Sequence, residues 1–238
     1  MKFDLISTGA GEMSFTEHLE ELRHRLMKML LAVVVGLFIS YCFIDTIVSF
    51  VTAPAGKLYY LRPAEAFFIY IKVGAVAGCV IATPIIFYQL WAFVMPAMNI
   101  KQRLWLLAIT VLSLGLFASG ILFSYYLVLP LGLAFFTGFD AQGVQAMISM
   151  ENYIDFLLML LLPFGLIFEL PLVIIVGAGL GIITSNGLKR MRPYVILLSF
   201  LLAAILTPPD VISQIMLAVP MLCMYELSLL FIPLKLPP

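Results

Sequence analysis

Six apolar stretches decide what this chain can fold into. Residues 26–44, 66–95, 104–127, 153–179, 193–206 and 211–232 are almost free of charge. All but the fifth are long enough to cross a hydrocarbon core of roughly 30 Å as helices rising about 1.5 Å per residue. A backbone surrounded by lipid tails has no water to bond, so each stretch is expected to close its own hydrogen bonds as a helix. The predicted fold class is therefore all-α, a polytopic membrane protein of six transmembrane helices. It would form one domain over 1–238, with 1–25 an N-terminal segment that carries the start of an amphipathic helix. The composition agrees: 63% of residues are hydrophobic and 11% charged, against about a quarter charged in a soluble domain. Most of the surface must face lipid.

The last two helices are expected to be short and paired. The stretch 193–206 is brief, which implies local thinning or tilt. "TPPD" (207–210) separates it from 211–232 so closely that the two must form a hairpin, proline favouring the turn. The segments 44–68 and 127–153 mix aromatics, prolines and apolar residues, as expected of a cap packed at a membrane surface, the second with a short helix broken at Gly138. No internal repeat is visible, which counts against a transporter built from inverted repeats.

Orientation follows from the bases. An even number of spans puts both termini on one side, together with Lys2, Arg23, Arg25, Lys28, Lys101, Arg103, Lys189, Arg190, Arg192 and Lys235. The other side keeps Lys57 and Arg62, and Lys72 falls within a span. By the positive-inside rule both termini are cytoplasmic. The first dozen residues lack the apolar core of a cleavable signal peptide, so targeting is expected to rest on the first span. Zero net charge gives no reason to expect a nucleic-acid partner.

Few residues could carry chemistry. "SFTE" (14–17) fits a capping box, and in the helix that follows Phe15, Leu19, Leu22 and Leu26 form one apolar stripe. Glu17, Glu21, His24 and Lys28 lie opposite, with Glu20 and Arg25 flanking. Periodicity alone makes this an interfacial helix start supported by a Glu21–Arg25 pair. That leaves unexplained a surplus of acids on the side where lipid phosphates favour bases. Glu169, in "PFGLIFELPLV" (163–173), lies deep in the fourth stretch between Pro163 and Pro171. An ionised carboxylate there costs about 2.5–3.5 kcal/mol on insertion scales, so it must be neutral, paired or exposed to a polar cavity. Glu226 lies nearer the cytoplasmic end. Lys72 can snorkel outward in a structural role, and Ser213 and Gln214 suit helix–helix hydrogen bonding.

Enzyme readings fare badly. His18 and His24 do not share a helix face as metal ligands, and Cys42, Cys79 and Cys223 stand singly in apolar runs. No nucleophile–base pair is present at membrane depth. No cofactor or metal is expected.

The motifs together resemble the TatC family, the multi-spanning receptor subunit of the twin-arginine protein translocase. "HLEELRHRL" (18–26) resembles the amino-terminal signature and "TAPAGKL" (52–58) the first outer loop, with Pro54. "TPIIFYQLWAFVMPAM" (83–98) resembles the second span and its loop, "FGLIFELP" (164–171) the fourth-span motif, and "RPYVILLSFLLAAILTPPDVISQ" (192–214) the final hairpin. The match runs along almost the whole chain in the family's order. It implies a concave bundle in the cytoplasmic (inner) membrane. Such a bundle binds twin-arginine signal peptides of folded cargo on the cytoplasmic face. It organises TatA/TatB-type single-span partners for export driven by the proton-motive force, and self-associates within the translocase. By resemblance Glu21 meets the arginine pair, with Glu20, Leu22, Arg23, Phe93 and Arg103 around it. Glu169, with Gln214 and Glu226, belongs to an intramembrane partner groove, and Pro54 and Asp210 are structural. In "NIKQRL" (99–104) Gln102 stands where the family usually offers a second glutamate. The competing readings are a proton-coupled small-molecule carrier using Glu169 and Glu226, and a purely structural membrane subunit.

Overall fold

A computed structural model describes residues 15–94, 103–138, 147–206 and 211–231, and these are almost wholly helical. Helix α1 (Phe15–Cys42) begins well before the first apolar run and is followed by α2 (Ile44–Thr52) and a tight turn over Ala53–Ala55 that holds Pro54. Helix α3 (Glu65–Val94) returns through the bundle. Helix α4 (Arg103–Phe123) passes through a π-helical turn, Ser124–Val128, into α5 (Leu129–Thr137). Helices α6 (Met150–Ile167) and α7 (Leu170–Gly179) form one broken span. The pair α8 (Ser185–Leu206) and α9 (Val211–Phe231) closes the chain. The "TPPD" turn and Ser14 of the expected capping box lie outside the described residues.

Among the described residues five segments are long and apolar enough to cross a membrane: His18–Cys42, Glu65–Val94, Leu104–Thr137, Met150–Gly179 and Gln214–Phe231. Helix α8 does not qualify, because Lys189, Arg190 and Arg192 fall in its first half. Two boundaries differ from the sequence expectation. The third span does not stop near 127, because the π turn lets the helix run on into α5. Its end at Gly138 is as expected, with the Gly138 N–H donating to Ala134 and Phe135 carbonyls. Nor are the last helices short, at 22 and 21 residues. Helix α8 starts ahead of Pro193 because Thr184 caps it, its Oγ1 accepting the Gly187 N–H at 3.1 Å.

Helices α1 and α3 meet backbone to backbone. A side chain on Gly36 would run into the Gly78 carbonyl, and one on Gly78 would lie 2.8 Å from the Leu37 Cα. Ser40 uses the approach to donate to the Gly74 carbonyl at 2.7 Å. Gly120 on α4 allows the same intimacy with the Phe164 carbonyl of α6. Small residues at crossings are what helices need where lipid removes the hydrophobic drive to associate. The interior gathers Ile69, Leu129, Tyr153, Ile154, Leu157, Phe164 and Leu217, all nearly or fully buried. Large apolar residues such as Phe38, Leu104 and Leu230 remain more than 70% exposed, as suits a surface facing lipid tails.

Alternation of the helices gives the bundle a cap end, where α2 lies, and a far end, where α1 starts and α3 stops. At the cap end the tyrosine hydroxyls of Tyr125 and Tyr153 each donate at 2.6 Å to the last-turn carbonyls of α2, Phe50 and Val51. The Phe50 carbonyl also takes the Ala53 N–H that caps the helix, and such last-turn carbonyls are the ones a helix leaves for outside donors. Tyr59 pairs with the stretch before α6, donating to the Ile148 carbonyl and accepting from the Met150 N–H.

Candidate functional site

At the far end the first turns of α1 lie against the last turns of α3 along one flank of the helix. The apolar stripe Leu19, Leu22 and Leu26 points away from the protein and is 40–58% exposed. His18, Glu21 and Arg25 turn toward α3, while Glu20, Arg23, His24 and Lys28 stay exposed. His18 stacks on Phe93 with ring centroids 4.4 Å apart. Arg25 donates from Nε and Nη2 to Glu21 Oε1, at 2.9 and 2.5 Å, and from Nη1 to Gln89 Oε1 at 3.2 Å. The expected Glu21–Arg25 pair is therefore present, and it is tied to a second helix. Glu21 Oε2 is buried and has no partner among the described residues. Glu20, Leu22 and Arg23 are exposed. Gln102 and Asp210 lie outside the described residues, as does the Arg103 side chain.

The arrangement offers an acceptor in waiting. A carboxylate has lone pairs on both oxygens, and here one oxygen takes two donors while the other takes none. A guanidinium or other charge-assisted donor that reaches Oε2 would gain a strong bond without first stripping water from it.

A second polar cluster lies deeper. Helix α6 breaks at Phe168–Glu169 because Pro171 has no N–H to give the Ile167 carbonyl and its ring would clash there. The chain tightens instead, the Glu169 N–H turning to the Leu166 carbonyl at 3.1 Å. Glu169 is 6% exposed and about 15 Å from the Gly179 end of this span at helical rise. Ser113 and the Phe117 backbone on α4 are its polar neighbours, yet neither makes a well-formed hydrogen bond to it, and both carboxyl oxygens are without a partner. The Ser113 hydroxyl already accepts the Trp91 Nε1–H at 2.7 Å. Trp91 stands between Gln89 and Phe93, so the last turns of α3 touch both clusters.

The remaining candidates scatter. Gln214 donates to the Phe200 carbonyl at 3.0 Å, fastening α9 to α8. Glu226 accepts from Arg192 at 2.6 Å on an exposed flank, each side chain about half exposed. Lys72 reaches toward the cap end in a structural ion pair: its Nζ meets the exposed Asp155 at 2.7 Å, with Glu151 at 3.6 Å. One residue of consequence was missed. Glu65 is 3% exposed and accepts from the Leu61 and Arg62 N–H groups, the Ser149 hydroxyl and the Glu151 N–H. It joins the two cap segments. The signal available for it was a lone acid opening an apolar run, which on its own reads as a helix start.

A family model described as Sec-independent protein translocase protein (TatC) matches residues 17–220. The chain is 43% identical over 223 residues to the Sec-independent protein translocase protein TatC of Desulforapulum autotrophicum, covering 91% of this chain and 83% of that protein. It is 35% identical over 221 residues to the protein of that name in Escherichia coli strain K12, covering 90% and 86%. Among solved structures it is similar to a crystal structure of the twin-arginine translocase receptor TatC, with a TM-score of 0.84 and 36% identity over 92% of this chain and 99% of that one.

Proposed function

This chain belongs to the TatC family, the receptor subunits of the Sec-independent, twin-arginine translocase, and from that premise we propose how it receives cargo. It is a membrane protein of the translocase. Both termini and the far end of the bundle face the cytoplasm, six helices cross the cytoplasmic membrane with α8 as the thin one, and the cap faces outward. The segregation of ten of thirteen bases to one side supports this orientation. The whole chain acts as one receptor domain and performs no covalent chemistry of its own.

The twin-arginine signal peptide binds at the far end. Glu21 receives one guanidinium, its unpartnered Oε2 being the observation that carries the reading. Planar, two-donor recognition of a carboxylate favours arginine over lysine. Glu20, Leu22, Arg23, Phe93, Gln102 and Arg103 form the surround: exposed Leu22 meets the apolar part of the peptide, and Phe93, held by His18, supplies a rigid wall. Gln102 contributes hydrogen bonding without charge, which concentrates the electrostatic task on the acids of α1. Glu169, Gln214 and Glu226 lie on the faces that receive TatA/TatB-type single-span partners. Glu169 offers acceptors that a donor entering from a neighbouring helix can fill. Pro54 and Asp210 shape the outer turns. Self-association and the proton-motive force complete the cycle.

Photo-cross-linking from positions 18–25 to a twin-arginine precursor tests this. Glu21→Ala should abolish the cross-links while membrane insertion stays intact, and a twin-lysine precursor should cross-link weakly to the wild type. Undiminished capture by Glu21→Ala overturns the assignment.

A further inference from the structure

We infer that Arg25 is an internal competitor at this site: its guanidinium occupies the Glu21 carboxylate in the resting protein, and an incoming arginine must share or replace that contact. The inference rests on Glu21 as the receiving carboxylate and adds a mechanism for how the site empties. Arg25 presents to Glu21 the same chemical group that the ligand carries. It takes two bonds on a single oxygen, Oε1, from Nε and Nη2. A cation with a free choice between two oxygens would spread across both in a fork. Its third donor, Nη1, is held by Gln89 on α3. That tether keeps Arg25 to one side of the carboxylate and leaves Oε2 without a partner. The side chains of Arg25 and Glu21 are only 20% and 23% exposed, so water compensates little when they part.

Two consequences follow. A guanidinium arriving at Oε2 meets a carboxylate whose charge is already half answered, and it is repelled by Arg25 at close range. Full two-oxygen engagement requires Arg25 to withdraw toward Gln89, where Nη1 already has an acceptor. The exchange of one guanidinium for another leaves the number of charge-assisted bonds almost unchanged, so binding is weakened and release is fast. A receptor that must let its signal peptide go after each cargo is served by such a competitor. Removing it should tighten binding.

The measurement is equilibrium and off-rate binding of a fluorescent twin-arginine peptide to the full chain in lipid nanodiscs. Arg25→Gln keeps length and hydrogen bonding but removes the charge, and it should bind roughly tenfold more tightly through a slower off-rate, the size of one charge-assisted bond. Arg25→Lys keeps the charge without the two-donor contact, and it should tighten binding by a smaller factor. It also serves if Arg25→Gln fails to insert. Weakened or unchanged binding in both variants overturns the inference, since a scaffolding arginine would give weakening. Glu21→Gln in the same assay separates the two readings. If it does not weaken wild-type binding, Glu21 is not the receiving group and both readings fall. If it does and the Arg25 variants do not tighten, only the competitor fails.

Discussion

Glu65 and Glu169 are both buried carboxyl groups in apolar helices, and they are treated in opposite ways. Glu65, 3% exposed, is surrounded by four donors drawn from two segments of the cap. One of these, the Glu151 N–H, belongs to the first turn of α6, where a helix leaves its amides unbonded and its dipole favours an acid. Glu169, 6% exposed, has no hydrogen-bond partner among the described residues. Its nearest hydroxyl, that of Ser113, accepts the Trp91 Nε1–H and keeps its own O–H free, but makes no well-formed bond to the carboxyl. Burying a polar group without a partner costs free energy that folding does not recover. A fully satisfied acid is therefore part of the architecture, whereas an unsatisfied one carries a cost with no structural return. Glu21 stands between them, one oxygen served and one open.

The comparison breaks first at Glu65. Glu65→Ala strips the acceptors from three backbone N–H groups and one hydroxyl. With about 1–3 kcal/mol for each buried donor left unpaired, a loss of about 3 kcal/mol or more is expected. Thermal unfolding in detergent, or protease sensitivity of the cap, reads it directly. A loss below about 1 kcal/mol would mean that water replaces the carboxylate and that the knot is not structural. Next in size is Tyr153→Phe, which removes the bond to the Val51 carbonyl and keeps the ring. About 1 kcal/mol is expected, with loosening confined to α2. An equal loss spread over the whole bundle would show that the hydroxyl is not a local fastening.

Much of this was legible in the sequence, for physical reasons that differ by residue. Long apolar runs must be helices in lipid, so their positions were readable, as was a buried acid at Glu169 between Pro163 and Pro171. The start of α8 was not, because a threonine cap ahead of three bases looks like a polar loop. The π turn at Ser124–Val128 left no mark, since one added residue in a helix needs no special side chain. At the site, four-residue spacing was enough to pair Glu21 with Arg25. It could not say which face of α1 meets the protein: lipid accepts Leu19, Leu22 and Leu26 outward, so amphipathicity loses its usual direction. Lys72–Asp155, Arg192–Glu226 and the Glu65 knot join residues far apart in the chain. Single-sequence spacing carries no information about such pairs.

The smallest stability effect is the sharpest test of the comparison. Glu169→Gln keeps the shape of the side chain and removes only its acidity. No bond is lost, because none is made, and the new amide can donate to a neighbouring carbonyl. Stability should therefore move by less than about 1 kcal/mol in either direction, where the equivalent change at Glu65 should cost clearly more by placing an amide among donors. Export of a twin-arginine precursor should nevertheless fall sharply, if the open carboxyl is what a partner helix engages. Measured together, unfolding and export separate the possibilities: a large loss of stability would show that Glu169 is bonded after all and belongs with Glu65. Wild-type export with unchanged stability would show that a neutral polar group suffices, so that the position requires an acceptor and not an acid.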